Sequence, residues 1–422
     1  MQTKRKLVDI PELVERLRDE KSRQKDYLAD QGSMEVSVAT NIVVGADKQP
    51  KEVPEFRLSL GNGVNVGVLD QAHGQIAGKL DIPKRYYDRM LKGIKEDVDL
   101  LADNVNHWLE KQGKKRRLIR TIDGLTRAYL GSRYRPLSHL DVVTQAVMVV
   151  TGQEPDSHDQ PWAKGARCFS WALNPMKLDV EFVNPCITVD LNHLDQGFKI
   201  EDFKHDKDNG GGGTGFVYAG HGIQESSNGA QGGWWHKPGT LRVMPTVRIS
   251  NSETGHGGLT VTAGLYEAIC DNTSHIGQSL AQIHIGGELK EDELWSPETQ
   301  QKINAVIFSK VRDVTRNAFN PELLLTWAKR FKGLEEVQVH NVKEAVGHVI
   351  ELGGLNEDLR DDILAAYHGM TEARGNLFDL QRAVTGTAHV IREKDADIAG
   401  KLEDLGGLMI EWGAKVLVGT IK

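Results

Sequence analysis

Nine basic residues and one acidic residue fall between Lys111 and Arg135 in a chain that is otherwise acidic. Lys114, Lys115, Arg116, Arg117, Arg120, Arg127, Arg133 and Arg135 are interleaved there with Tyr129 and Tyr134. Single-stranded nucleic acid asks for this mixture, because cations displace condensed counterions and aromatic faces stack on unpaired bases. The alternative is a solvated basic face that also pairs with acidic helices elsewhere in the chain. Two adjacent tryptophans, Trp234 and Trp235, are further candidates for stacking.

Other constellations offer less. Cys270, His275 and His284 lie close in sequence, with His193, His205, His221, His236 and His256 scattered before them. Zinc sites use four ligands with a close CxxC or HxxxH pair, and no such pair occurs, so no metal ligand is assigned. Cys270 with His275 or His284 has the composition of a thiolate pair, and Ser252, Glu253 and His256 that of a hydrolase fragment. Neither comes with a nucleophile elbow, so no catalytic residue is assigned. Asp206 with Asp208, and Asp190 with Asp195, have the composition of a magnesium nuclease but also fit exposed turns. The loop Gly61–Gly67 lacks the Walker lysine and reads as a hairpin turn, and no cofactor is expected.

These residues need elements to hold them. Leu118–Ile122 and Thr126–Leu130 alternate around Asp123-Gly124, a strong hairpin signal. A helix is expected from about Ser138, an amphipathic N-terminal helix from about Pro11, and further helices over 71–94 and 97–111. Strands are expected over 35–44, 56–60 and, two or three of them, 166–189. Residues 206–239 are dense in glycine and read as an insertion in the sheet. Residues 248–287 read as strand, turn, strand, a short helix through Leu265, Ala268, Ile269 and Cys270, a polar loop, and a last strand through Ala281, Ile283 and Ile285. From about Pro297 the periodicity becomes helical throughout. The expected fold is α+β: an N-terminal helical arm over 1–34, an antiparallel-rich sheet domain with hairpins over 35–287, and a helical C-terminal region over 288–422.

The composition narrows the setting. Of 422 residues 39% are hydrophobic, enough for a packed core, and the net charge of -7 is concentrated after Gly287, where 23 acidic residues face 17 basic ones. Three widely spaced cysteines argue for a reducing compartment rather than a disulfide framework. No apolar run is long enough to cross a bilayer and the N-terminus has no apolar targeting segment, so the expectation is a cytoplasmic protein without membrane contact.

The stretch SNSETGHGGLTVTAGLYEAICDN, residues 250–272, resembles the signature of a phage and plasmid protein family carried as a domain of unknown function. LGSRYRPLSHLDVV at 130–143 and NLFDLQRAVTGTAH at 376–389 are similar to two further elements of that family. The glycine-rich insertion Asn209–Gly233 departs from its pattern and leaves the role of Trp234 and Trp235 open. The resemblance implies a mobile-element setting but supplies no catalytic residue. Phage-borne annealing proteins that form rings also place basic hairpins over a helix, an analogy at the level of fold only. The leading expectation is therefore a single-stranded DNA binding or annealing protein acting through Lys111–Arg135, as a homo-oligomer. The alternatives are an interaction module that blocks or recruits a host protein through the acidic helices, and a metal-dependent nuclease.

Overall fold

The computed structural model describes residues 2–8, 10–44, 50–61, 63–153, 166–200, 241–267, 272–276, 296–370, 373–392 and 394–418. The chain folds as α+β with two largely antiparallel sheets, each with its own apolar core. The smaller sheet joins β2 (Gln24–Asp30), β3 (Glu35–Val44), β4 (Pro50–Ser59), β5 (Asn65–Val68), β6 (Arg116–Ile122) and β7 (Leu125–Gly131) in the order β2-β6-β7-β5-β4-β3. Helices α2 (Asp70–Lys79), α3 (Lys84–Leu91) and α4 (Lys95–Lys111) cover one face of it. Ile76, Tyr87, Val98, Leu101 and Val105 bury there against Phe56, Leu58, Ile119 and Tyr129.

The larger sheet contains β1 (Gln2–Val8), β8 (Arg167–Leu173), β9 (Leu178–Val183), β10 (Ile187–Asp190), β11 (Phe198–Ile200), β12 (Arg242–Asn251), β13 (Thr260–Glu267) and β14 (Asn272–His275). Its core also takes in α1 (Ile10–Arg23), α5 (His139–Thr151), α6 (Pro297–Ala318), α7 (Pro321–Gly333), α8 (Val342–Gly353), α9 (Leu359–His368), α10 (Leu377–Ile391) and α11 (Ala396–Trp412). Helix starts follow local capping chemistry. Ser138, Asn341, Asn376 and Asp395 each accept a hydrogen bond from a backbone N–H in the first turn of α5, α8, α10 and α11.

One expectation about organisation needs correction. The first 34 residues are not a separate arm, because β1 pairs with β8 in one sheet and β2 with β6 in the other. The C-terminal region is helical as expected, and its helices share one continuous core with the larger sheet. Leu265 continues strand β13 instead of starting a helix, and Asn272–His275 form β14 instead of a loop. The polar residues of β14 are buried because α10 and α11 close over them.

Alternation splits the larger sheet into two unlike faces. Val180 and Phe182, Val247 and Ile249, and Val261, Ala263 and Leu265 point into the apolar core. Asp179 and Glu181, Arg248 and Ser250, and Thr260 and Thr262 point the other way, toward α11. Helix α11 approaches closely because it presents glycine: a Cβ at Gly407 would overlap the backbone carbonyl of His275, and one at Gly400 would meet the Arg248 guanidinium. Gly407→Ala is expected to destabilise the protein by about 3 kcal/mol or more, as overpacking against backbone does. At exposed Gly78 of α2 nothing lies within 4 Å of the added methyl, and Gly78→Ala is expected to be neutral or to stabilise by up to about 1 kcal/mol. Denaturant unfolding of both variants distinguishes these outcomes.

Candidate functional site

The hairpin that carries the basic block forms as its sequence requires. Asp123 and Gly124 both take positive φ, 52° and 77°, which matches a tight two-residue turn between twisted strands. A bulge between Arg120 and Thr121 leaves Arg127 without a direct cross-strand partner. Strands β6 and β7 lie inside the sheet, flanked by β2 and β5, so neither is an edge strand.

The block is divided by this placement, and four of its members are corrected from contact surface to interior. Arg127 is 1% exposed and Tyr129 is fully buried, with Arg117 and Arg120 almost as deep. Arg117 donates from Nε to Gln31 Oε1 at 2.6 Å and sits over the Tyr129 ring. Arg120 and Arg127 converge on Glu253, their Nη1 atoms 3.5 and 3.4 Å from its Oε2. Arg120 also pairs with Asp26 at 2.9 Å, and Arg127 with Glu20 at 3.0 Å.

Glu253 comes from the turn between β12 and β13. Its Oε1 accepts the His139 backbone N–H at the start of α5, at 2.6 Å. Burial alone would raise its pKa, but His139, Arg120, Arg127 and the backbone N–H together hold it below the usual carboxylate value. Burial pushes the pKa of neighbouring His139 down to about 4, which leaves its ring neutral at pH 7.

The rest of the turn is fastened on every side. Tyr134 donates its hydroxyl to Ser252 O at 2.9 Å and accepts from Gly255 N–H at 3.1 Å. Gln75 bridges the two sheets, donating to Thr254 O at 2.6 Å and accepting from Tyr129 N–H at 2.7 Å. Ser252 and Thr254 both donate to Met176 O, while His256 Nδ1 lies 3.0 Å from Thr254 Oγ1. Ser252, Glu253 and His256 thus serve three different partners and form no hydrolytic triad.

What remains of the block at the surface is Lys111, Lys114, Lys115, Arg116 and Arg133, with Tyr134 and Arg135 half-buried. Arg135 donates to the carbonyls of Ser132 and Tyr134. Lys114 and Lys115 lie in the turn between α4 and β6, which is tied down by hydrogen bonds from Gln31 N–H to Lys115 O and from Gly32 N–H to Gly113 O. One turn back along α4, Lys111 lies over the Trp108 ring at 4.5 Å, and exposed His107 meets the same ring edge-on at 5.5 Å. His107 and Trp108 therefore belong to this surface, although they fall outside the Lys111–Arg135 block. A signal for them is present in the sequence, since both sit within eight residues of Lys114 on a helix ending at the block.

The other expected sites separate. Cys270, His284, Trp234 and Trp235 lie outside the described residues. His275 is buried between Asp404 of α11, 2.9 Å from its Nδ1, and Glu181 of β9, 3.7 Å from its Nε2. Burial would lower its pKa, but the two carboxylates outweigh burial and raise it to about 9, so the ring is an imidazolium at neutral pH. Asp190 accepts the Asn192 N–H in a local turn. Among the described residues no group of His, Cys, Asp and Glu is placed to hold a metal ion, and no helix is long and apolar enough to cross a membrane. Comparison with protein-family models, curated proteins and solved structures finds no match to the chain.

Two consequences are measurable. Glu253→Ala leaves two buried arginines short of a counter-charge, and a loss of about 3–5 kcal/mol in unfolding free energy is expected. For His275 the folded pKa lies above the unfolded one, so its contribution is complete below pH 6.5 and disappears as pH rises through about 9. Stability measured between pH 6 and 10 should fall over that window by up to roughly 3 kcal/mol. His275→Gln should flatten the fall.

Proposed function

We propose that the protein binds single-stranded nucleic acid, DNA in the first instance, at the surface formed by the end of α4 and the start of β6. The observation that carries this reading is the grouping of exposed Lys111, Lys114, Lys115 and Arg116 beside the half-exposed ring of Trp108. Cations in this group are available to phosphate. The ion pair of Arg116 with Asp30, at 3.2 Å, lies at the surface and exchanges at little cost. The backbone bonds that hold the 112–115 turn against residues 31 and 32 limit the entropy lost when a strand is bound. A phage or plasmid setting, a role in annealing, assembly as a homo-oligomer and a cytoplasmic location belong to the same proposal and rest on the sequence alone.

The test is binding of a fluorescently labelled oligothymidylate, followed by anisotropy over a series of salt concentrations. Affinity should fall steeply with salt, and the combined variant Lys111→Ala, Lys114→Ala, Lys115→Ala, Arg116→Ala should reduce the logarithmic salt slope by about 0.7 for each phosphate left without its cation. Trp108→Leu should weaken binding by about 1–3 kcal/mol while leaving the slope unchanged, as removal of a stacking platform does. No binding at low salt, or equal binding by the parent and the fourfold variant, overturns the reading.

A further inference from the structure

Helix α11 covers the polar face of the larger sheet only in part. Between them lies a cleft of about 650 Å³, within the range of small-molecule sites. Its floor is Arg248 and Ser250 of β12 with Thr260 and Thr262 of β13, Ser250 standing opposite Thr260 and Arg248 opposite Thr262. One wall is the α11 face that carries Asp397, Lys401, Asp404 and Glu411, and one end is the His256–Gly258 turn.

The charges deep in the cleft are already matched. Arg248 pairs with Asp179 at 2.8 Å and lies 3.9 Å from Asp404, Lys177 pairs with Asp179 and Asp397, and His275 pairs with Asp404. Three hydroxyls, those of Ser250, Thr260 and Thr262, have no partner among the described residues, and neither do the Lys401 ammonium and the Glu411 carboxylate. Lys401 and Glu411 are ten residues apart on one helix, about 15 Å along its axis.

This inventory selects a ligand class. A phosphate-bearing ligand would have to compete with the carboxylates that already hold Arg248, Lys177 and His275. An apolar ligand would find Leu408 as the one aliphatic side chain among the described residues of the lining. What the cleft leaves unmatched is a set of groups that both donate and accept, flanked by one cation and one carboxylate, and the hydroxyls of a polyol complement such a set. We propose that the cleft binds a neutral, hydroxyl-rich molecule of nucleoside or disaccharide size. The ring hydroxyls lie along Ser250, Thr260 and Thr262, with Glu411 accepting and Lys401 donating at its two ends.

The experiment is ligand-observed saturation-transfer NMR on the full chain with adenosine, 2′,3′-dideoxyadenosine and maltose as probes. Transfer to adenosine with loss for the dideoxy compound supports the proposal with a nucleoside as source. Transfer to maltose supports it with a saccharide. Thr262→Val and Glu411→Gln remove groups without structural partners, so their melting midpoints should stay within about 2 °C of the parent. Each should weaken binding about three- to tenfold, the worth of one hydrogen bond. No transfer to adenosine or maltose overturns the proposal. So does equal binding of adenosine and its dideoxy form without transfer to maltose, or undiminished binding by both folded variants.

Discussion

A single buried carboxylate decides how the two halves of this protein meet. Glu253 is 2% exposed, yet it faces two guanidinium groups and a helix-start N–H that arrive from β6, β7 and α5. Burying an isolated ion is costly, and attraction offsets that cost only where geometry and hydrogen bonds are complete. The β12–β13 turn is therefore held in one position. Any displacement would strand Arg120 and Arg127 in the interior, with Glu20 and Asp26 at the rim as their other carboxylate partners. Two separate apolar cores need such a clamp, because non-directional burial within each does not specify their mutual orientation.

This constraint also decides which of the basic residues reach the surface. A basic hairpin normally suggests phosphate contacts, and here its central cations are consumed by the fold. Of the cations left over, Lys111, Lys114, Lys115 and Arg116 lie at the end of α4 and the start of β6, and Arg133 and Arg135 flank Tyr134 after β7. Beside Lys111 and the turn after α4 stand a tryptophan and a histidine rather than the tyrosines of the hairpin, since Tyr129 faces the core and Tyr134 is fastened to the β12–β13 turn.

Much of the fold was legible because its signals are local. Asp123-Gly124 specifies its turn within two residues, and Ser138, Asn341, Asn376 and Asp395 cap their helices within one turn. The α+β class followed from the alternating runs and hairpin turns together with the change to helical period near Pro297. The burial of Arg120 was not legible, because its counter-charge lies 133 residues further on. Strand β2 escaped notice for a related reason: five of its seven residues are polar or aromatic, QKDY and a final Asp, and it becomes a strand by pairing with β6 more than 80 residues away. Strand β14 reads as a polar loop until two helices cover it.

The polar face of the larger sheet shows what the same rule leaves open. Alternation in β12 and β13 announces one apolar face and leaves the other for solvent, but α11 lies over that second face and buries part of it. Covering a polar face is tolerable only where each buried charge is matched, and Asp179 with Arg248, and Asp404 with His275, meet that condition. Glycine at 400 and 407 lets the helix sit close enough for these pairs to form. Ser250, Thr260 and Thr262 fall outside the matched set and keep contact with the cleft. Their hydroxyls have no hydrogen-bond partner on α11 among the described residues, and they are the part of the polar face that α11 leaves open.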